Sequence, residues 1–371
     1  MAPAHLPRDF PSIMFRCFLL FFAACFLPYC QNDPIKPPAR GPKFVLFRGP
    51  SVPLLSNRIN QIIAHRNSQI WIATDSGAAY YDRGSWGVIN DSLKYWQYGS
   101  GVPPWQSSRV NCMTVGKDGS VWFGLGGGGI RRFMPTSTDA GRLWVTYQIP
   151  EISFNTISSL ACDEFVNGDV WAGTLGAGLN RFMPSVGNPR YGQWMVYTAA
   201  NVPGFRSNFI QTTAVNVTNQ SVWVSTPFSL LAFINDVSGW SSFDIPHPYD
   251  SQVFSIAFDL AGRVWLGKAD GVSVFNSVDG SWTHHTSQNT GGMLPEGRLF
   301  SVLTDLHTLR WFGTTEGLLQ LNDTTWTLFD ASVFSEWPGD TVTALTYDRA
   351  GNLWIGTTNG VVVYNEGGTI L

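Results

Sequence analysis

The residues best placed to do chemistry in this 371-residue chain are arginines set among aromatic side chains. Arg58, Arg109 and Arg298 each stand at the start of a short alternating apolar segment, and Arg206 stands slightly ahead of a fourth. The stretches leading into such segments hold Trp105, Phe205, His247-Pro248-Tyr249, Met293-Leu294-Pro295-Glu296 and Trp337. A guanidinium presents a planar fork of donors to a carboxylate or sulfate, and an aromatic ring offers a flat apolar face to a sugar, so together they suit acidic oligosaccharides. The candidate ligand-binding set is therefore Arg58, Arg109, Arg206, Arg298, Trp105, Trp337 and Tyr249. The competing reading is structural, with each arginine paired to a nearby acid such as Glu296 or Asp340.

Catalytic patterns are missing. Gly124-Leu125-Gly126-Gly127-Gly128-Gly129 has the spacing of a dinucleotide fingerprint, but Ile130-Arg131-Arg132-Phe133 follows as a strand where that motif needs a helix N-terminus. His65, His247, His284, His285 and His307 form no His-x-Glu-x-His cluster, and the expectation is that they face solvent. No Gly-x-Ser-x-Gly elbow is present. The sequence thus assigns no catalytic residue, no metal ligand and no cofactor, although carboxylates far apart in the chain can still meet in space. Without its first thirty residues the chain carries 21 basic and 25 acidic side chains, a net of −4, which offers no field for nucleic acid.

The elements that must position the arginines are repeats. A tryptophan-centred phrase occurs seven times, at Trp71, Trp122, Trp171, Trp223, Trp265, Trp311 and Trp354, with intervals of 51, 49, 52, 42, 46 and 43 residues. That period fits one four-stranded propeller blade. The 38 glycines and 22 prolines supply the tight turns that many short strands need. The predicted fold is all-β, a seven-bladed propeller of four-stranded antiparallel blades in which each tryptophan lies between neighbouring blades. Fourth strands are expected at Trp144–Tyr147, Trp194–Tyr197, Trp240–Phe243, Trp282–His285 and Trp326–Phe329, with Tyr95–Tyr98 as their counterpart in blade one. Blade seven lacks a fourth strand, and Lys43–Arg48 has the right pattern to close the ring from the other end of the chain. In this alignment Cys112 and Cys162 lie at different depths, so no disulfide is expected between them.

The domain plan is an export signal over 1–30, a proline-rich tether over 31–42, the propeller over 43–366 and a tail over 367–371. Residues 15–29 form an apolar run too short for a membrane span, with Arg16 as the positive flank and Met14 as an alternative start. Cys30, at the end of that run, resembles the lipid-attachment residue of a bacterial lipoprotein, while Cys25 or plain secretion are the alternatives. The expected location is periplasmic or outer-membrane-anchored, with the membrane touched only through that lipid.

The segments Asp259-Leu260-Ala261-Gly262-Arg263-Val264-Trp265-Leu266-Gly267 and Asp348-Arg349-Ala350-Gly351-Asn352-Leu353-Trp354-Ile355-Gly356-Thr357 resemble the two-component regulator propeller repeat. Blade four departs most, with Pro227-Phe228-Ser229 in place of a glycine turn. The resemblance implies a sensor-like binding propeller of the periplasmic kind; the sequence shows no kinase. The first expectation is recognition of an oligosaccharide or other extracytoplasmic ligand by a monomer or weak oligomer. The alternatives are a scaffold for an envelope protein and an extracellular lyase or hydrolase.

Overall fold

The structure, a computed structural model, describes residues 43–89, 109–134, 144–164, 167–236, 239–248, 252–305, 309–339 and 341–369, all within one compact unit that begins at Gly41. Twenty-eight strands form seven four-stranded antiparallel sheets, with no helix among the described residues. Six sheets run in simple sequence order. The seventh is made of Val342–Tyr347, Leu353–Thr357, Gly360–Tyr364 and, outermost, Phe44–Phe47. Phe44 pairs with Tyr364 and Phe47 with Val361, so the first strand completes the last blade. The tether and signal fall outside the described residues.

The blades meet through a repeated set of contacts. All seven motif tryptophans are buried and reach into the next blade: Trp71 meets Phe123, Trp122 meets Phe182, Trp171 meets Phe233, Trp223 meets Phe275, Trp265 meets Phe312, Trp311 meets Tyr364 and Trp354 meets Tyr81. Each such indole contributes on the order of 4–6 kcal/mol of burial as an upper bound. Two residues after the tryptophan comes the glycine of the motif, and its missing side chain is where the next blade's first apolar residue sits. A Cβ on Gly124, Gly173 or Gly356 would lie within 2.7 Å of Ile157, Ile210 or Ile59. Blade one has Ala73 at this position, and blade four has Ser225, whose hydroxyl donates to the Val253 carbonyl at 2.8 Å.

Tight turns brace the tryptophans from the opposite face. The Asp259 carboxylate accepts the backbone N–H groups of Ala261 and Arg263, the Trp265 indole N–H at 2.9 Å and the Arg263 Nε at 2.7 Å. Arg310 of blade six reaches the same carboxylate at 3.2 Å. Asp348 binds Ala350, Asn352 and the Trp354 indole in the same way. Burial pushes the Asp259 carboxyl up, but the Trp265 and Arg263 hydrogen bonds and the Arg263 charge more than offset this, leaving it below the usual carboxylate range.

Two expectations need correction. The fourth strand of blade one is Ser85–Ile89 rather than Tyr95–Tyr98, which lies outside the described residues. Arg83 and Gly84 both take positive φ, 48° and 87°, and this two-residue hairpin turns the chain back at once. The histidines are not uniformly solvent-facing. His65 is buried, its ring bonded to Asn67 and to the Gly119 carbonyl of the next blade. His284 bonds Ser273 and His285 stacks on Trp265, and burial lowers the pKa of both. Cys112 and Cys162 are both buried and free, as expected.

Two predictions follow from these contacts. Deleting residues 43–49 exposes the Gly360–Tyr364 edge and strips Phe44 from Tyr364 and Phe47 from Trp354, so the whole domain should melt at lower temperature; an unchanged melting curve would sink the closure. Because the folded pKa of Asp259 is depressed, its stabilisation is full above the unfolded carboxylate value of about 3.9 and fades as pH falls through the folded one. Asp259→Asn should therefore lower the melting temperature at neutral pH and flatten its fall in acid, whereas parallel pH curves for the two proteins would contradict this role.

Candidate functional site

Every inner strand contributes to a central channel of about 740 Å³. A buried apolar anchor stands at the head of each inner strand, as its first residue at Ile59, Val110, Ile157, Val253 and Val342 and two residues ahead of it at Ile210 and Leu299. The residue after each anchor lines the channel: Asn60, Asn111, Ser158, Gln211, Phe254, Phe300 and Thr343. Five of the seven occupy a break in strand register, between Ile59 and Gln61, Val110 and Cys112, Ile157 and Ser159, Val253 and Ser255, and Val342 and Ala344. A bulge re-aims a side chain without ending the strand, and here it turns these residues toward the axis and the next blade. Asn60 donates to the Val110 carbonyl at 2.8 Å, Asn111 to Ile157 at 2.7 Å and Thr343 to Ile59 at 2.7 Å. Deeper in, Ile62, Leu160, Ile256, Val302 and Leu345 make an apolar collar.

Three of the candidate arginines converge at the mouth. Arg58, Arg109 and Arg298 are the charged side chains that line the channel among the described residues, and each immediately precedes its anchor. The structural reading of their charges is met in part, by an acid other than those anticipated. Asp75, in the turn between the second and third strands of blade one, pairs with Arg58 at 3.5 Å and Arg109 at 3.3 Å, and accepts from Asn60 at 3.0 Å. Exposed ion pairs of this kind add little stability, so their effect is chiefly to set where the two guanidiniums stand. Arg109 also lies along Gly126, where a Cβ would come within 3.3 Å of its side chain.

Arg298 stands differently. Its guanidinium lies 4.0 Å from the Phe254 ring centroid and 4.9 Å from that of Phe300, with no carboxylate partner among the described residues. Water withdrawn by these rings lowers its pKa, yet a guanidinium stays protonated throughout the physiological range. Among the described residues, three positive charges against the one on Asp75 give the mouth a net +2. The channel thus has a cationic rim, an aromatic wall on blades five and six and a polar wall on the remaining blades.

The other candidates are placed elsewhere. Arg206 does not join the channel; it borders a separate groove beside blade four and faces Asp244 at 3.9 Å. Trp337 is 8% exposed and packs in the core with Trp311, Leu318 and Val342, so it is withdrawn as a ligand-facing ring. Phe205 and Leu294 are buried likewise. Their burial has one cause: Leu54, Ile152, Phe205, Leu294 and Trp337 each stand five positions before an anchor, at Ile59, Ile157, Ile210, Leu299 and Val342, and drop from the link into the seam between blades. That fixed offset is visible in the sequence and separates seam residues from surface aromatics. Trp105 and Tyr249 lie outside the described residues.

Among the described residues no group of three or more His, Cys, Asp or Glu is placed to hold a metal ion. Cys112 lines the channel, but burial pushes its thiol far up, which leaves it un-ionised and a poor nucleophile.

Residues 336–359, which span the end of a link and the first two strands of blade seven, match the two-component regulator propeller repeat. No curated protein matches the chain. Among solved structures, the extracellular domain assigned to the one component system BT4673 of B. thetaiotaomicron aligns with a TM-score of 0.66 at 18% identity, over 87% of this chain and 40% of that one. PorZ, a surface component of the type-IX secretion system of Porphyromonas gingivalis, aligns at 0.66 and 16%, over 88% and 48%. Virginiamycin B lyase from Staphylococcus aureus aligns at 0.65 and 14%, over 86% and 98%. At these identities the likeness is one of fold, and this chain spans less than half the length of the first two. The chain is a seven-bladed β-propeller, one repeat of which matches the two-component regulator propeller.

Proposed function

We propose that the protein is an exported, sensor-like binding module that recognises an acidic oligosaccharide at the arginine-rimmed channel mouth. The observation that carries this reading is the convergence of Arg58, Arg109 and Arg298, from blades one, two and six, on one opening with a single shared carboxylate. Arg58 and Arg109 are held as a pair by Asp75, and Arg298 offers its edge between two phenyl rings. A carboxylate or sulfate entering the mouth meets donors already positioned, which limits the ordering cost of binding. Hydroxyls of the attached sugar face Asn60, Asn111 and Thr343 on the polar wall. Cys30 is assigned to lipid attachment in the periplasm or outer membrane. The likeness to the extracellular domain of BT4673 supports an extracytoplasmic setting.

A protein-binding scaffold is the second reading. It is favoured by the exposure of Ile149, Phe154, Leu175, Phe209 and Phe228, all in links or turns of the loop-rich face. Capture of an envelope protein by the wild type and its loss on Phe209→Asp, with no glycan bound, would favour that reading.

A thermal-shift panel of neutral and acidic oligosaccharides tests the first reading. A ligand at 100 times its dissociation constant should stabilise the protein by roughly 2.7 kcal/mol. Acidic members should shift the melting curve and neutral ones should not. Arg109→Ala with Arg298→Ala should weaken binding about 100-fold, two charge-assisted contacts being lost, without changing the unliganded melting temperature. Equal shifts for acidic and neutral sugars, or full affinity in the double variant, would overturn the assignment.

A further inference from the structure

We infer that blade four carries a second subsite on the same face, so that the ligand is a chain of several sugar units running from the channel mouth across this blade. The inference rests on the reading of the mouth as the primary site.

A groove of about 340 Å³ lies beside the channel, bordered by Gly204, Arg206, Phe228, Asp244, Gln252 and Val253. These residues come from the links before blades four and five, from the first residue of blade five's inner strand and from the turn between the second and third strands of blade four, the same parts of the blade that surround the channel mouth. The two spaces adjoin through one side-chain pair: Gln211, which lines the channel, donates from Nε2 to Oε1 of Gln252, which lines the groove, at 3.1 Å. Gln211 Oε1 is out of solvent and accepts no hydrogen bond.

The chemistry of the groove fits a sugar ring, which is apolar on its faces and hydroxylated at its edge. Phe228 is 67% exposed at the tip of the turn, next to Ser229, which stands where the equivalent turns of blades one and seven have glycine. That turn is stiff. Pro227 fixes its own φ, the Phe228 N–H donates to Thr226 Oγ1 at 3.2 Å, and Thr226 and Ser229 hydroxyls lie 2.7 Å apart. Phe209 is 53% exposed in the preceding link, against the Gly176 turn of blade three, and Leu175 beside it lines the channel. Two exposed rings thus lie on one face over blades three and four, the second of them at the groove. Arg206 and Asp244 stand 3.9 Å apart and well exposed, so both can meet hydroxyls at small cost. A concave pocket of this size seats one compact unit more readily than it seats a flat protein surface.

Calorimetry with galacturonate oligomers of increasing length, and with sulfated chondroitin oligomers as a second series, tests the inference. For the wild type, affinity should rise about tenfold between the dimer and the tetramer, the gain of stacking one or two further units. Phe209→Ala with Phe228→Ala should abolish that rise while leaving dimer affinity within about twofold; Arg206→Ala should reduce it. Arg298→Ala should weaken every length by the same factor, because it acts at the mouth. The same length dependence in the double phenylalanine variant would overturn the subsite and leave the mouth assignment standing. Loss of protein capture with no change in glycan binding would assign these rings to a protein partner instead, and failure of the wild type to bind either series would overturn both assignments.

Discussion

The close approach of one sheet to the next governs this molecule. Five of the seven blades offer a side-chain-free position two residues beyond the tryptophan, Ala73 and Ser225 keep it small in the other two, and the neighbouring blade packs the apolar residue at the head of its inner strand against it. The indole packs into the joint, and at five of the seven joints a seam residue from the link packs there as well. Neither sheet can shift without opening a void or forcing a clash, and well-packed interiors tolerate neither cheaply. Since every blade is held this way, the ring must close, and the chain meets that requirement by returning its first strand to the last blade.

The channel is a consequence of that packing. Once the anchor is locked in the seam, the next residue bulges toward the axis, and its side chain is free to be chosen for polarity. Five blades place small polar groups there and two place phenylalanine, so a ring of equivalent positions becomes a funnel with distinct walls. The residue before the anchor is held at the rim by the same registration. This is why Arg58, Arg109 and Arg298, up to 240 positions apart in sequence, stand around one opening. The lining and the rim of the channel are thus set by two positions flanking a structural one.

Much of this could be read from the sequence because repetition exposes it. The seven tryptophans and the glycine after them located the second strands, and the alternation at Lys43–Arg48 located the closing strand. The arginines were traceable because they share a register with the anchors. Asp75 was missed because its partners come from two blades, and no local pattern links a turn residue to an arginine 34 positions later. Trp337 reads as a surface ring because it is an aromatic in a link, and only its constant distance from the anchor marks it as a seam residue. Arg206 lies four residues before its anchor, Ile210, and that displacement moves it from the rim to the groove of blade four. The short hairpin at Arg83-Gly84 carries a weaker sequence signal than the more aromatic Tyr95–Tyr98 segment after it.

The central claim is that an anionic group of the ligand is taken between Arg298 and the Arg58–Asp75–Arg109 cluster. A crystal structure of the protein grown with tetragalacturonate addresses it directly. The account predicts a carboxylate within hydrogen-bonding distance of Arg298 and of Arg58 or Arg109, with the sugar ring against the Phe254 and Phe300 wall. A glycan bound on another face, or a channel mouth left empty at saturating ligand, would contradict it.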